Sequence, residues 1–208
     1  MGTKTLLITS MFFVGFTSIA HAQDGTFRTW FETPDTVMAG DTFDVRMWAS
    51  FEGDLLRPGG YFSAALANFE VSGDLDTFEA ISPLTFGLSF IFNEGTPDGP
   101  WLRDVFTAQH PALPDVNFSN PILVLGFEVT TSANSIGTLD VDIRPGFDPD
   151  MPLLEWSING TGTSDDIVRT TDPNIALIAT TATVRVVPAP GAAAVLALAG
   201  VVTVRRRR

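Results

Sequence analysis

The middle of this chain predicts an all-β fold, an antiparallel β-sandwich, and three observations carry that prediction. Apolar and polar residues alternate with period two in several separate stretches, the mark of strands with one buried and one wet face. Clusters of Gly, Pro, Asp and Asn punctuate the chain between those stretches. No long stretch shows the 3.6-residue period of an amphipathic helix, which leaves sheet packed on sheet as the layer arrangement.

About nine strands are expected, in this order. Phe27–Glu32 comes first. Phe43, Val45, Met47, Ala49 and Phe51 then alternate with Asp44, Arg46, Trp48, Ser50 and Glu52. One face of that strand belongs to the core, and Trp48 lies on the other. Further strands are expected at Tyr61–Val71, Phe78–Ile81 and Leu84–Phe92, although Ala64, Ala65 and Ala67 would also suit a helical start to the first of these. Asn93–Asn120, with four prolines and Trp101, reads as a long irregular excursion over one end of the sandwich. Ile122–Phe127 is nearly continuous apolar sequence, as in a strand at the middle of a packed sheet, and this strand runs on to Thr131. Leu139, Val141 and Ile143 alternate with Asp140, Asp142 and Arg144; Leu153–Ile158 follows. Ala182, Val184 and Val186 close the series against Thr181, Thr183 and Arg185. Trp30 and Trp156 are expected in the core.

Residues 23–186 make one domain, long enough to bury a sizeable core. All 24 acidic residues fall in it, against seven arginines (Arg28, Arg46, Arg57, Arg103, Arg144, Arg169 and Arg185) and no lysine. Its formal charge is therefore −17, compared with −12 for the whole chain. Such a surface repels nucleic acid and anionic membranes, and favours cations, neutral glycans or basic proteins as partners. Cysteine is absent, which excludes a thiol nucleophile and thiolate metal sites and leaves stability to the core or to bound ions.

The two ends carry addresses. Residues 1–22 hold one charged side chain, Lys4, then an apolar stretch from Leu6 to Ile19, then Ala20-His21-Ala22 before Gln23. Those are the three regions of a secretory signal peptide, with cleavage expected after Ala22. Residues 187–208 begin Val187-Pro188-Ala189-Pro190-Gly191, continue as the uncharged run Ala192–Val204, and end Arg205-Arg206-Arg207-Arg208. The prolines hold the approach extended. A helix over Gly191–Val204 would span about 21 Å at ~1.5 Å per residue, short of the roughly 30 Å hydrocarbon core, and the arginine stems can lengthen its reach. The positive-inside preference keeps the arginines cytoplasmic and the body outside.

This tail resembles the PEP-CTERM sorting signal of bacterial surface proteins, with Ala189 where that family carries Glu. The resemblance implies export, processing by an exosortase, and delivery to the cell envelope, surface or extracellular matrix. A plain membrane anchor through the C-terminal hydrophobic helix is the alternative. Within the body, Val37-Met38-Ala39-Gly40-Asp41-Thr42-Phe43-Asp44-Val45 resembles the opening strand of cohesin modules. Tyr61–Leu75 and Ile122–Ile143 sit where such modules place later strands. That resemblance implies a jelly-roll-like sandwich related to cohesin and carbohydrate-binding modules.

Catalytic chemistry has little to draw on. His110 is the one histidine of the body, no Gly-x-Ser-x-Gly elbow is present, and lysine-dependent chemistry is excluded by composition. A carboxylate pair of the glycosidase kind is allowed by residue type alone. Calcium is the cofactor best suited to Asp-rich loops, with Asp148 and Asp150 in one and Asp165 and Asp166 in another as candidate ligands. Glycan contact would need exposed aromatics, and Trp48 and Trp101 are the candidates. The expectation is a non-enzymatic, exported protein of structural or adhesive role, with polysaccharide or matrix proteins as partners besides the export machinery. A glycan-binding module is the alternative class, and a carboxylate-based hydrolase the third.

Overall fold

Period-two patterning turns directly into strands in the computed structural model, which describes residues 24–112, 115–145 and 153–189. The cleavage residues Ala20, Ala22 and Gln23, the tail from Pro190 through Gly191 to Arg205–Arg208, and Asp148 and Asp150 lie outside these residues. Fourteen strands are described: β1 (Gly25–Glu32), β2 (Thr36–Met38), β3 (Thr42–Glu52), β4 (Tyr61–Gly73), β5 (Phe78–Ile81), β6 (Phe86–Gly87) and β7 (Phe90–Asp98), then β8 (Trp101–Ala108), β9 (Ile122–Thr131), β10 (Gly137–Pro145), β11 (Leu154–Ser157), β12 (Ile167–Arg169), β13 (Ile175–Ala179) and β14 (Ala182–Val187).

They form two sheets. Sheet A runs β13-β1-β3-β9-β5, with β6 also on β9; sheet B runs β12-β11-β4-β10-β14-β2, with the β7–β8 hairpin on β4. The 13-residue β4 is long enough to hold β11 along Tyr61–Ala65 and β10 along Ala67–Gly73, while β8 takes Ala64–Glu70. Ala64 and Ala65 pair with both β11 and β8, so β8 lies on the opposite edge. Most pairs are antiparallel, but β1–β13 and β2–β14 are parallel, so both ends of the domain close onto strands far away in sequence.

The core lies between the sheets. Phe27, Val45, Met47 and Phe51 from sheet A and Phe62, Phe69, Leu102 and Leu139 from sheet B are fully buried. Aromatic contacts bolt the layers together: Phe51 of sheet A against Trp156 of sheet B at 6.1 Å, and Phe69 of sheet B against Phe127 of sheet A at 5.2 Å. Contacts of this kind add to area burial at ring separations below about 7 Å. Trp156 is in the core as expected.

Other expectations need correcting. Tyr61–Val71 is strand from its first residue, with Ala64 and Ala65 paired to β11 and β8 and Ala67 to β10 and β8, so the alanines do not start a helix. Leu84–Phe92 is not one strand but β6, a break, and the start of β7. The irregular excursion Asn93–Asn120 is instead largely a hairpin, its turn falling at Gly99 with φ +56°. Trp101 accordingly opens a strand rather than sitting in a loop.

Candidate functional site

The solvent face of sheet A gathers the side chains best suited to holding a ligand. On β1 the even residues Arg28, Trp30 and Glu32 share the face of Asp44, Arg46 and Trp48 on β3, because the odd residues of both strands fill the core. Trp30 stands opposite Trp48, and Trp48 in turn opposite Leu123 of β9, so three half-buried apolar side chains run in a row across three strands. The two indoles are nearly parallel, 8° apart with centroids at 6.4 Å, an offset pair. The Trp48 Nε1–H donates to Glu32 Oε2 at 3.0 Å, which orients that ring.

One step along the strands, Arg46 opposes Gly126, and Gly126 opposes Phe86 of β6. With no side chain at Gly126 a notch opens, a depression of about 130 Å³ lined by Asp44, Arg46, Phe86 and Leu123 among others. A second depression of about 200 Å³, bordered by Glu32, Thr33, Pro34, Asp44 and Arg46, adjoins it. Ion pairs Arg28–Glu52 and Arg46–Asp44, both 3.5 Å, stand around the row. Their members are about half-exposed, so the pairs contribute little to stability and their polar atoms stay within reach of a ligand. Arg28 and Arg46 thus sit among Glu32, Asp44, Glu52 and Glu128 on this face, with Asp44 opposite Glu128.

Trp30 was expected in the core and is not. Phe27 and Phe31 are in phase with each other and Trp30 is out of phase with both, so the strand's alternation carried the signal and residue type obscured it. Trp101 is half-buried, and the Arg103 guanidinium lies 4.8 Å from its ring centroid while ion-paired to Asp98 at 2.7 Å. One face of that indole is thus covered from within the chain, and the open aromatic row is the one built on Trp48.

A second aromatic group sits on the hairpin of sheet B. Phe90, Phe92 and Phe106 stack in sequence at 5.6 and 4.7 Å with interplanar angles of 25° and 22°. Phe92 is 62% exposed.

Asp165 and Asp166 part ways. Asp165 is exposed, whereas Asp166 is 1% exposed and turns inward. Asp166 accepts hydrogen bonds from the Ser157 hydroxyl and from the backbone N–H groups of Asn159 (2.7 Å), Thr161 (2.8 Å) and Gly162 (3.0 Å). Burial pushes its carboxyl up, but the bonds from Ser157, Gly162, Asn159 and Thr161 together outweigh burial and hold it below the usual range. Its oxygens are occupied by the loop they organise, and the two aspartates do not converge on a point. Among the described residues no group of three or more His, Asp or Glu side chains gathers with metal-ligand geometry. His110 is exposed, and its Nδ1 accepts from the Ala112 N–H at 3.2 Å.

No protein-family model and no curated protein sequence matches the chain. Among solved structures it is similar to a cohesin module from a Clostridium perfringens family 33 glycoside hydrolase, at 13% identity and a TM-score of 0.44, covering 78% of this chain and 98% of that one. It is also similar to a chain of a type II cohesin-X-dockerin complex from Acetivibrio cellulolyticus, at 12% identity and 0.46, covering 78% and 99%. A conjugative transposon lipoprotein from Bacteroides eggerthii matches at 15% identity and 0.31, covering 59% and 87%. No residue here takes a role from these likenesses.

Proposed function

We propose that this chain is an exported, non-catalytic adhesive module that holds a neutral polysaccharide on the solvent face of sheet A. The observation that carries the reading is the row Trp30–Trp48–Leu123, half-buried on the solvent face of sheet A and flanked by Glu32 and Arg46. Indole faces accept the apolar C–H face of a sugar ring, while a carboxylate and a guanidinium beside them can accept from and donate to its hydroxyls. An open face suits a long chain lying across it. A body of charge −17 disfavours polyanions, which leaves neutral glycans as the fitting class.

The terminal segments supply the address. The signal peptide directs export, and the tail, with Pro188 and Ala189 at its entrance, sorts the body to the envelope or matrix, where an exosortase would process it. Intact mass of the protein from envelope and medium fractions tests this half: loss of both ends supports processing, and retention of Arg205–Arg208 on membrane-bound protein makes the tail a plain anchor.

Binding is tested by affinity electrophoresis in gels cast with neutral polysaccharides. Retardation of the parent chain should be lost in Trp48→Ala, at least tenfold in affinity, or about 1.4 kcal/mol. It should persist in Phe92→Ser, whose change lies on the other sheet. Full retardation of Trp48→Ala would remove the row as the contact.

A further inference from the structure

The outer edge of sheet A is unguarded. β13 pairs with β1 on one side through five consecutive residues and has no strand on its other side among the described residues. Its sequence, Ile175-Ala176-Leu177-Ile178-Ala179, holds no charge, proline or glycine, and Leu177 and Ile178 are 37% and 44% exposed. Sheet edges normally carry a device against pairing: shortness, a bulge, proline, charge or cover. The other edges here have one. β2 and β12 are three residues long, β5 and β6 four and two. β7 has a register shift between Ile91 and Asn93, contains Pro97, and its Glu94 carbonyl accepts from the Leu84 N–H. β13 has none of these.

The geometry points to β13 as a pairing edge for β13 of a second copy of this chain, antiparallel about a two-fold axis at Leu177. The backbone selects that register. The Asn174 carbonyl accepts from the Asp24 N–H and the Thr180 N–H donates to the Thr29 carbonyl, so even-numbered residues of this edge face β1. By alternation Leu177 and Ala179 point both N–H and C=O outward, and Ile175 its C=O alone, because the Ile175 N–H donates to the Asp172 carbonyl at 3.3 Å. Centring on Leu177 sets its free N–H and C=O against those of Leu177 in the second copy, and the Ala179 N–H against the Ile175 C=O. It also sets Ile175 against Ala179 and Ala176 against Ile178, a large side chain against a small one each time, with Leu177 on Leu177 over the continuation of the core.

Charge favours the same seam. Copies of a −17 body repel each other, and this strand is an uncharged approach. The joined sheets would be continuous, with the two β1 strands three spacings, ~14 Å, apart, and the Trp30–Trp48 rows on one common face.

The chain has no cysteine, so Leu177→Cys introduces a unique thiol. Across a hydrogen-bonded antiparallel pair the Cα atoms lie ~5.5 Å apart, within disulfide reach. Mild oxidation of the full-length variant in detergent should yield a disulfide-linked dimer on a non-reducing gel, at concentrations where Leu75→Cys, 50% exposed and remote from the edge, stays monomeric. Sedimentation of the unmodified chain should give a dimer, and Leu177→Lys a monomer with unchanged far-UV dichroism. Equal cross-linking of the two cysteine variants, a monomeric parent chain, or a dimer that survives Leu177→Lys would each overturn the proposal. Polysaccharide retardation by the Leu177→Lys monomer tests the sugar-binding row separately, so the two readings can fail independently.

Discussion

Replacing Asp166 by Asn keeps the shape of a buried side chain and removes its charge, and the geometry sets the expected cost. Three donors converge on Oδ2 (the Ser157 hydroxyl and the N–H groups of Thr161 and Gly162) and one, from Asn159, on Oδ1. The best placement of the amide puts its oxygen at the Oδ2 position. Its NH2 then faces the Asn159 N–H, which is left without an acceptor, at about 1–3 kcal/mol. The other three bonds lose their charge-assisted strength, roughly half of it. A total of about 2–4 kcal/mol follows, a large share of the 5–15 kcal/mol typical of a domain. At about 2–4 °C per kcal/mol for this size, Tm should fall by roughly 5–15 °C. Thermal melts by circular dichroism at neutral pH measure it, with the exposed Asp165→Asn as a control expected within about 0.5 kcal/mol of the parent. The pH dependence has a definite sign. The folded-state pKa is depressed, so Asp166 contributes fully above the unfolded aspartate pKa near ~3.9. That contribution disappears as pH falls through the folded value, and the gap between parent and Asn variant should close only in acid. A variant that melts within a degree of the parent at neutral pH, or a gap that does not narrow in acid, would refute the hub role.

The remaining predictions concern the proposed sugar-binding row and the core. Trp30→Ala should weaken polysaccharide retardation about as much as Trp48→Ala, and the double variant little further, because the two rings act as one surface; additive losses in a double-mutant cycle would mean two separate contacts. Thr29 is 1% exposed and its hydroxyl has no hydrogen-bond partner among the described residues, so Thr29→Val, which keeps the β-branched shape, should stabilise by about 1 kcal/mol and raise Tm by roughly 2–4 °C. A lower Tm would show that this hydroxyl is bonded in solution.

How much of this was legible beforehand follows from what each residue's neighbours in sequence can report. β3 and β10 alternate with one face in the core, and their positions follow from that period; β9 was legible instead from its nearly continuous apolar run. β13 escaped because Ile-Ala-Leu-Ile-Ala has no polar residue to set a phase. It is apolar at an exposed edge, a place where apolar sequence is not the usual choice. β8 escaped for the opposite reason: Asp104 at φ +62° and a bulge break its alternation, and neighbouring prolines suggested loop. The calcium expectation for Asp165 and Asp166 rested on two adjacent carboxylates. Adjacent residues in a short turn can point to opposite sides, and here the one that turns inward gathers the backbone N–H groups of its own loop. Of the two tryptophans singled out for glycan contact, Trp48 stands on an open face. Trp101 is capped by an arginine two residues away, a pairing that depends on side-chain conformation and leaves no periodic trace.

The acidic body and its uncharged islands make one physical argument. A surface of charge −17 without lysine keeps copies apart and repels polyanions over a Debye length of roughly 8–10 Å. Contact can therefore form only where charge is locally absent or balanced. Sheet A supplies two such places, the uncharged Trp30–Trp48–Leu123 row with Arg28 and Arg46 beside it on the face, and β13 at the edge. An open face grips a single sugar chain weakly, because little of the ligand is enclosed. Two rows on a continuous sheet convert the second contact into an intramolecular one, raising avidity without any new side chain. Leu177→Lys should therefore leave the affinity of one row for a short oligosaccharide unchanged while lowering retention on a long polysaccharide. An equal effect on both ligands would mean that the edge acts on the row itself and not through pairing.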